Sequence, residues 1–360
     1  MIEHLYVHIP FCNHICFYCD FFKIKKSKEE MVTEFLNSLA TEVARLDLSK
    51  FNLKTIYLGG GTPNSLSDQQ LSAVLKILQQ FDQTNLVEYS IELNPENISP
   101  TQLTVLKDYN VNRLSIGVQT FDDQLLKKIN RHHSVKDVID NYHLARKMGF
   151  DNISFDLIYN LFDQNQTHII HDLAVVGQLK PDHLSWYSLI LKENSYWGKT
   201  KTKLPDYDIE FDEIVNRELQ QMGYERYEIS NYTLNKKYAL HNLAYWTNKS
   251  FWPLGPGAAG FLNDPEYLLV ENSRKYCDWT QQTAPISQPD YYFQILMMGL
   301  RLTRGINLAT VKDAKEAYQY YLPKINSEIR LNRLEVVDNH LRCTPQGYDL
   351  LNDILVNLLE

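Results

Sequence analysis

The chain has 360 residues and 44% hydrophobic content, enough for one large core and a smaller one, because single cores stop growing at roughly 250–300 residues. A formal net charge of -8 leaves no basic footprint to neutralise a phosphate backbone, which sets nucleic acid aside as a default partner. No apolar run reaches the ~18 residues of a membrane span and no signal peptide opens the sequence, so the expectation is a cytoplasmic protein without a membrane span.

In chain order, apolar β-branched segments alternate with amphipathic ones. Strands are expected at 5–9, 55–58, 89–93, 113–118, 152–159 and 183–191, and helices at 28–46, 68–81, 101–109, 134–148 and 167–179, several opened by Ser or Asp caps. Six β-α units in sequence imply a parallel sheet with right-handed crossovers, either an open doubly wound sheet or a barrel. After Leu191 the rhythm breaks. A polar loop at 193–205 leads to a helix at 208–222, then to an aromatic and glycine-rich stretch at 224–261 that includes Trp252-Pro253-Leu254-Gly255-Pro256-Gly257. From Gln288 onward the pattern is mainly helical, with a short strand at 341–344. The expected division is a β/α core over 1–223, a connecting segment over 224–287 and a helical C-terminal domain over 288–360.

Five cysteines are an odd number in a long chain, and three of them fall between positions 12 and 19, which is not the pattern of a disulfide framework. The run Cys12-Asn13-His14-Ile15-Cys16-Phe17-Tyr18-Cys19 directly follows the first strand. A Cys-x3-Cys-x2-Cys loop can wrap three thiolates around three corners of a cubane cluster, leaving the fourth iron open to another ligand. A structural zinc site usually wants four ligands and a second Cys or His pair. Here Cys277 and Cys343 stand alone, and His8 and His14 are poorly spaced to complete a tetrahedron.

This spacing, with Tyr18 just before the third cysteine, resembles the radical S-adenosylmethionine superfamily. The resemblance implies a [4Fe-4S] cluster on Cys12, Cys16 and Cys19, whose open iron is chelated by the methionine amino and carboxylate groups of S-adenosylmethionine. It also implies an electron donor, since one electron splits the sulfonium to methionine and a 5′-deoxyadenosyl radical, and the protein supplies placement and exclusion of water. Supporting residues belong at the carboxyl ends of the strands, where parallel α/β barrels build sites. Gly59-Gly60-Gly61-Thr62-Pro63 ends the second strand, and a glycine run lets the backbone approach a ligand. Glu92 and Asn94 share one face at the end of the third strand, Gln119 ends the fourth and Asp156 lies in the fifth.

The likeness narrows at Tyr6-Val7-His8-Ile9-Pro10-Phe11-Cys12, Arg113-Leu114-Ser115-Ile116-Gly117-Val118-Gln119 and Ile129-Asn130-Arg131. These resemble the oxygen-independent coproporphyrinogen III oxidase group and its HemW-type haem-chaperone relatives. By this resemblance Tyr6, Tyr18, Gly60, Gly61, Thr62, Glu92, Gln119, Arg131 and Asp156 line the S-adenosylmethionine site, and a guanidinium at Arg131 suits a carboxylate fork. Two departures point to the chaperone branch: Asp20 and Phe21 stand where the oxidase carries a fourth cysteine, and the first strand starts almost at Met1. His241-Asn242-Leu243-Ala244-Tyr245-Trp246 resembles that branch's HNxxYW motif, which implies haem at His241. A delivery protein must release its ligand, so a partly exposed site is expected there. Taken without the family, the same residues read as a packed aromatic lid with a satisfied histidine. The relatives' Gly and Pro turn is replaced by Tyr159-Asn160-Leu161-Phe162, which leaves that loop's form open.

The expected fold is therefore a partial (β/α)6 radical S-adenosylmethionine barrel followed by a small α-rich, winged-helix-like domain, read as a substrate or partner platform because it lacks a basic stripe. The expected function is a haem-binding chaperone that delivers haem to an acceptor protein. The alternatives are an anaerobic coproporphyrinogen III dehydrogenase acting on propionates, and a radical enzyme on an unrelated substrate.

Overall fold

The computed structural model describes residues 1–359. Its centre is six parallel strands: β1 (Ile2–Ile9), β2 (Phe51–Gly60), β3 (Glu88–Leu93), β4 (Arg113–Gln119), β5 (Ile153–Tyr159) and β6 (His183–Ser188), paired in chain order. Successive strands are joined through α1 (Glu29–Ala44), α2 (Asp68–Leu78), α3 (Pro100–Asp108), α4 (Val135–Lys147) and α5 (Gln166–Leu179). Leu5, Val7 and Ile9 share one face of β1 and are fully buried in the main core, which also holds Val32, Phe35 and Leu39 of α1. Ser67, Ser99, Ser134 and Asn165 cap the N-termini of α2 to α5, each a contribution of about 1 kcal/mol. The expected sixth strand ran to Leu191, but β6 stops at Ser188.

The sheet continues past both ends of this series. Beyond β6 lie the short antiparallel strands β7 (Glu225–Arg226) and β8 (Asn231–Thr233). Beyond β1 lie β9 (Phe251–Leu254), parallel to it, then β10 (Ala259–Asn263), β11 (Tyr267–Asn272) and β12 (Gln281–Pro285), antiparallel. The order β12-β11-β10-β9-β1-β2-β3-β4-β5-β6-β8-β7 is linear, so the barrel is open. The stretch expected to connect two domains thus extends the barrel's own sheet at both edges. It also carries α7 (Leu240–Trp246), which follows the barrel helix α6 (Asp208–Gln221) in the helix series.

The C-terminal part opens with α8 (Gln288–Gly299) and builds a second core from Tyr291, Ile295, Leu296, Ile325, Leu341 and Ile354. It holds more strand than the sequence pattern implied: Ile306–Asn307, His340–Cys343 and Leu334–Val337 form a three-stranded antiparallel sheet. The loop after β5 is resolved by Asn160, which takes the left-handed conformation (φ 65°) that Gly otherwise supplies. Its amide donates to Asp208 Oδ1 at 2.9 Å, tying the turn to α6.

Candidate functional site

The carboxyl ends of the parallel strands surround a cavity of about 530 Å³, within the roughly 300–1,000 Å³ of small-molecule sites. The cysteine loop forms one wall. Its ends are pinched together where Phe11–Cys12 pairs with Ile24–Lys25, Ile24 N donating to Pro10 O (2.8 Å) and Lys26 N to Cys12 O (2.9 Å). Cys12, Cys16 and Cys19 are free thiols that all line the cavity. No three His, Cys, Asp or Glu side chains among the described residues converge as ligands of one ion do, and it is the loop spacing and the surrounding partners that single these thiols out. Thr62 Oγ1 donates to Cys12 Sγ at 3.4 Å, and Arg131 Nη1 lies 3.7 Å from Cys16 Sγ. Burial pushes the Cys12 thiol up to about 12 and raises Cys19. The Thr62 hydrogen bond and the Lys23 charge act the other way at these two sulfurs. These donors and cations are what buried thiolate ligands require.

The glycine run is fixed first by protein neighbours. A Cβ on Gly60 (φ 109°) would lie 2.5 Å from the His8 ring, and one on Gly61 2.7 Å from the Pro10 carbonyl carbon. The close approach frees Gly60 N to donate to Glu92 Oε2 (3.1 Å), while Tyr57 Oη donates to Oε1 (2.8 Å). Burial lifts the Glu92 carboxyl to about 7 despite those two bonds, and nearby Asp156 adds to the rise. Burial also raises Asp156, opposed by the Arg113 charge and by Ser115 Oγ, which donates to both carboxylate oxygens at 3.0 and 3.1 Å.

Arg131 reaches the cavity but spends its terminal nitrogens on the protein. Nη1 donates to Asn94 Oδ1 (2.8 Å) and Nη2 to Gly117 O (2.7 Å) and to Gln119 Oε1. Its buried Nε has no partner among the described residues. Burial works against its charge, but Cys16, Tyr18 and Glu96 more than offset that and raise its pKa. Gln119 is held at φ 65°.

Of the expected site residues, Tyr18, Gly60, Gly61, Thr62, Glu92, Gln119, Arg131 and Asp156 line this cavity with the three cysteines. Tyr6 does not. It stands one layer back, stacked on Tyr57 (centroids 6.2 Å apart), with its hydroxyl 3.0 Å from His8 Nδ1. His241 departs further from the partly exposed site expected for it, because it is 0% exposed. Its Nδ1 meets Thr55 Oγ1 and its Nε2 meets Tyr245 Oη, both at 2.7 Å, and its ring stacks on Tyr57. The enclosure comes from Glu88 on β3, whose carboxylate accepts from Leu240 N (2.7 Å) and His241 N (3.1 Å) and so caps α7 inside the barrel. The next residue, Asn242, reaches the cavity floor. Sequence reasoning missed Asn242, and it missed Arg113 as a wall residue that is only 1% exposed; their signal was the i, i+2 alternation of Arg113 with Ser115 and the place of Asn242 inside the HNxxYW run.

An open β/α barrel with three thiols on its first loop and carboxylates on its rim defines a class, and residues 6–176 match the family model of the radical SAM superfamily, with 286–350 matching the HemN C-terminal domain. Heme chaperone HemW of Bacillus subtilis is 36% identical over 84% of each chain, and that of Lactococcus lactis 33% identical over 98% of this chain and 96% of its own. The chain belongs to the HemW family. Coproporphyrinogen III oxidase (HemN) of Escherichia coli, a radical SAM enzyme, shares the fold with a TM-score of 0.82 over 99% of this chain and 90% of its own, at 22% identity. The radical SAM domain implies a [4Fe-4S] cluster and S-adenosylmethionine, and the residues present fit both: three thiols with donor partners, and a cavity walled by Glu92 and Asp156 that suits a cationic ligand. When bound, the pair supplies one-electron radical chemistry. What the chain's own residues do is hold Glu92 by Tyr57 and Gly60, hold Asp156 by Ser115, and close the floor with α7.

Proposed function

We propose that the chain binds haem and hands it to an acceptor protein, with the cluster and S-adenosylmethionine acting on the exchange and an electron donor serving the cluster. The observation that carries this reading is the likeness to haem chaperones over nearly the whole length, barrel, sheet extension and C-terminal domain together. Phe21 supports it: the side chain is 66% exposed and lines the cluster cavity, at a position where the oxidase pattern carries a fourth cysteine. His241 enters as the residue of the HNxxYW motif. With both ring nitrogens bonded, it meets an iron only by releasing Thr55 or Tyr245, and otherwise acts through what it bonds to.

The test is titration of haem into the anaerobically reconstituted protein. A Soret shift saturating at about one haem per chain, as single axial ligation implies, and weaker binding in His241→Ala are the expected results. Absence of saturable binding by the wild type contradicts the reading.

A further inference from the structure

Strand β2 grips His241 twice. Thr55 and Tyr57 alternate onto the same face of the strand. Thr55 Oγ1 meets His241 Nδ1 at 2.7 Å, and the Tyr57 ring stacks on the same imidazole, with centroids 5.3 Å and planes 25° apart. Tyr6 stacks on Tyr57 in turn, with centroids 6.2 Å apart. In the tautomer that gives Nδ1–H to Thr55, Nε2 accepts from Tyr245 Oη and carries the lone pair that a haem iron takes once Tyr245 is released.

Of these two strand residues, Tyr57 also lines the cluster cavity. Its hydroxyl donates to Glu92 Oε1 at 2.8 Å, on one of the two carboxylates that suit a cationic ligand. Gly59 makes room for that bond, because a Cβ there would lie 2.9 Å from both Tyr57 Cε1 and Glu92 Cδ and would part them. One side chain therefore touches a ligand-holding carboxylate with its hydroxyl and the imidazole of the HNxxYW motif with its ring. Burial holds Glu92 at about 7, so a cation placed beside it keeps it ionised. An ionised carboxylate is the stronger acceptor for the Tyr57 hydroxyl.

We propose that Tyr57 is a positioning residue through which a cationic ligand on Glu92 fixes the His241 imidazole, so that S-adenosylmethionine and haem bind cooperatively. The proposal rests on the haem-binding reading and deepens it by naming the side chain that carries the cavity's influence to the haem motif. A Tyr57 ring clamped by Glu92 leaves the imidazole fewer orientations to lose when it takes a ligand, and that prior ordering is the source of the cooperativity. Linkage then requires each ligand to strengthen the other by one and the same factor.

The experiment uses the full chain, anaerobically reconstituted and kept oxidised so that S-adenosylmethionine stays intact. Haem is titrated by its Soret band with and without saturating S-adenosylmethionine, and S-adenosylmethionine by equilibrium dialysis with and without haem. In wild type each ligand is expected to tighten the other at least about fivefold, the lower range of allosteric coupling. Tyr57→Phe keeps the ring and loses the hydroxyl, so both ligands should still bind, S-adenosylmethionine more weakly, while the factor falls to about one. Glu92→Gln should lose the factor as well. Asp156→Asn, off this path, should weaken S-adenosylmethionine yet keep the factor, which separates coupling from mere loss of affinity; iron content checks that each variant holds its cluster. Haem binding by wild type that ignores S-adenosylmethionine, or a full factor in Tyr57→Phe, overturns the role of Tyr57 while the haem reading stands. Failure of wild type to bind haem overturns both.

Discussion

The two ends of the barrel use the same strands and satisfy them differently. At the upper end Glu92 and Asp156 each accept hydrogen bonds from the protein and Arg131 bridges Asn94 and Gly117, so the polar groups stand preorganised. At the lower end, among the described residues, the buried ring nitrogens of His4 and Trp252 lack partners and Arg45, Lys249 and Lys312 form no ion pair. His4 and His8 lie on one face of β1, two turns of the pleat apart, and belong to opposite ends. The lesson is that one strand face can be given two different environments when a helix, here α7, is capped by Glu88 between its ends.

The largest expected effect separates the ends outright. Cys12→Ala should lower the iron of the reconstituted protein from about four per chain to near zero, and Cys16→Ala and Cys19→Ala should do the same, while Cys277→Ser keeps the cluster; iron and sulfide analysis reads this.

Next in size, Asp156→Asn should weaken S-adenosylmethionine about tenfold or more, the loss of a charged partner, with iron content unchanged. Electron paramagnetic resonance of the reduced cluster during ligand titration measures it, and wild-type affinity in the variant would remove Asp156 from the site.

A pH series sharpens the comparison further. Burial places the Glu92 carboxyl at about 7, so it is neutral below that pH and a carboxylate above it. Affinity for the cationic S-adenosylmethionine should rise as pH increases through about 7, and Glu92→Gln should flatten the rise. The smallest effect is expected from Thr55→Val, which removes the hydroxyl linking His4 to His241. Haem binding should weaken about three- to tenfold, the scale of one buried hydrogen bond, while S-adenosylmethionine binding stays put. The reverse pattern would place Thr55 in service of the upper site.

The six barrel strands were legible because each spans six or more residues with buried apolar side chains at alternate positions, and four of the helices between them open on a side-chain cap. The outer strands were not. β7 and β8 span two and three residues, and β12 is exposed at every position, so neither length nor alternation marks them. The cysteine loop was legible as a local motif, Glu92 and Gln119 followed from strand ends, and Asp156 from its place within the fifth strand. Tyr6 and His241 were misplaced for a common reason: their environments are set by contacts far away in sequence. His8 and Tyr57 hold Tyr6, and Glu88 draws α7 inward from 152 residues away. No periodicity encodes a carboxylate on one strand capping a distant helix.

The central claim is that this chain carries haem rather than decarboxylating a porphyrinogen, and one pair of anaerobic incubations tests it directly. The reconstituted protein with reductant and S-adenosylmethionine is given haem in one vessel and coproporphyrinogen III in the other. The account predicts about one haem retained per chain after gel filtration, and no carbon dioxide released from the porphyrinogen. Carbon dioxide release in the second vessel with no haem retained in the first would contradict it.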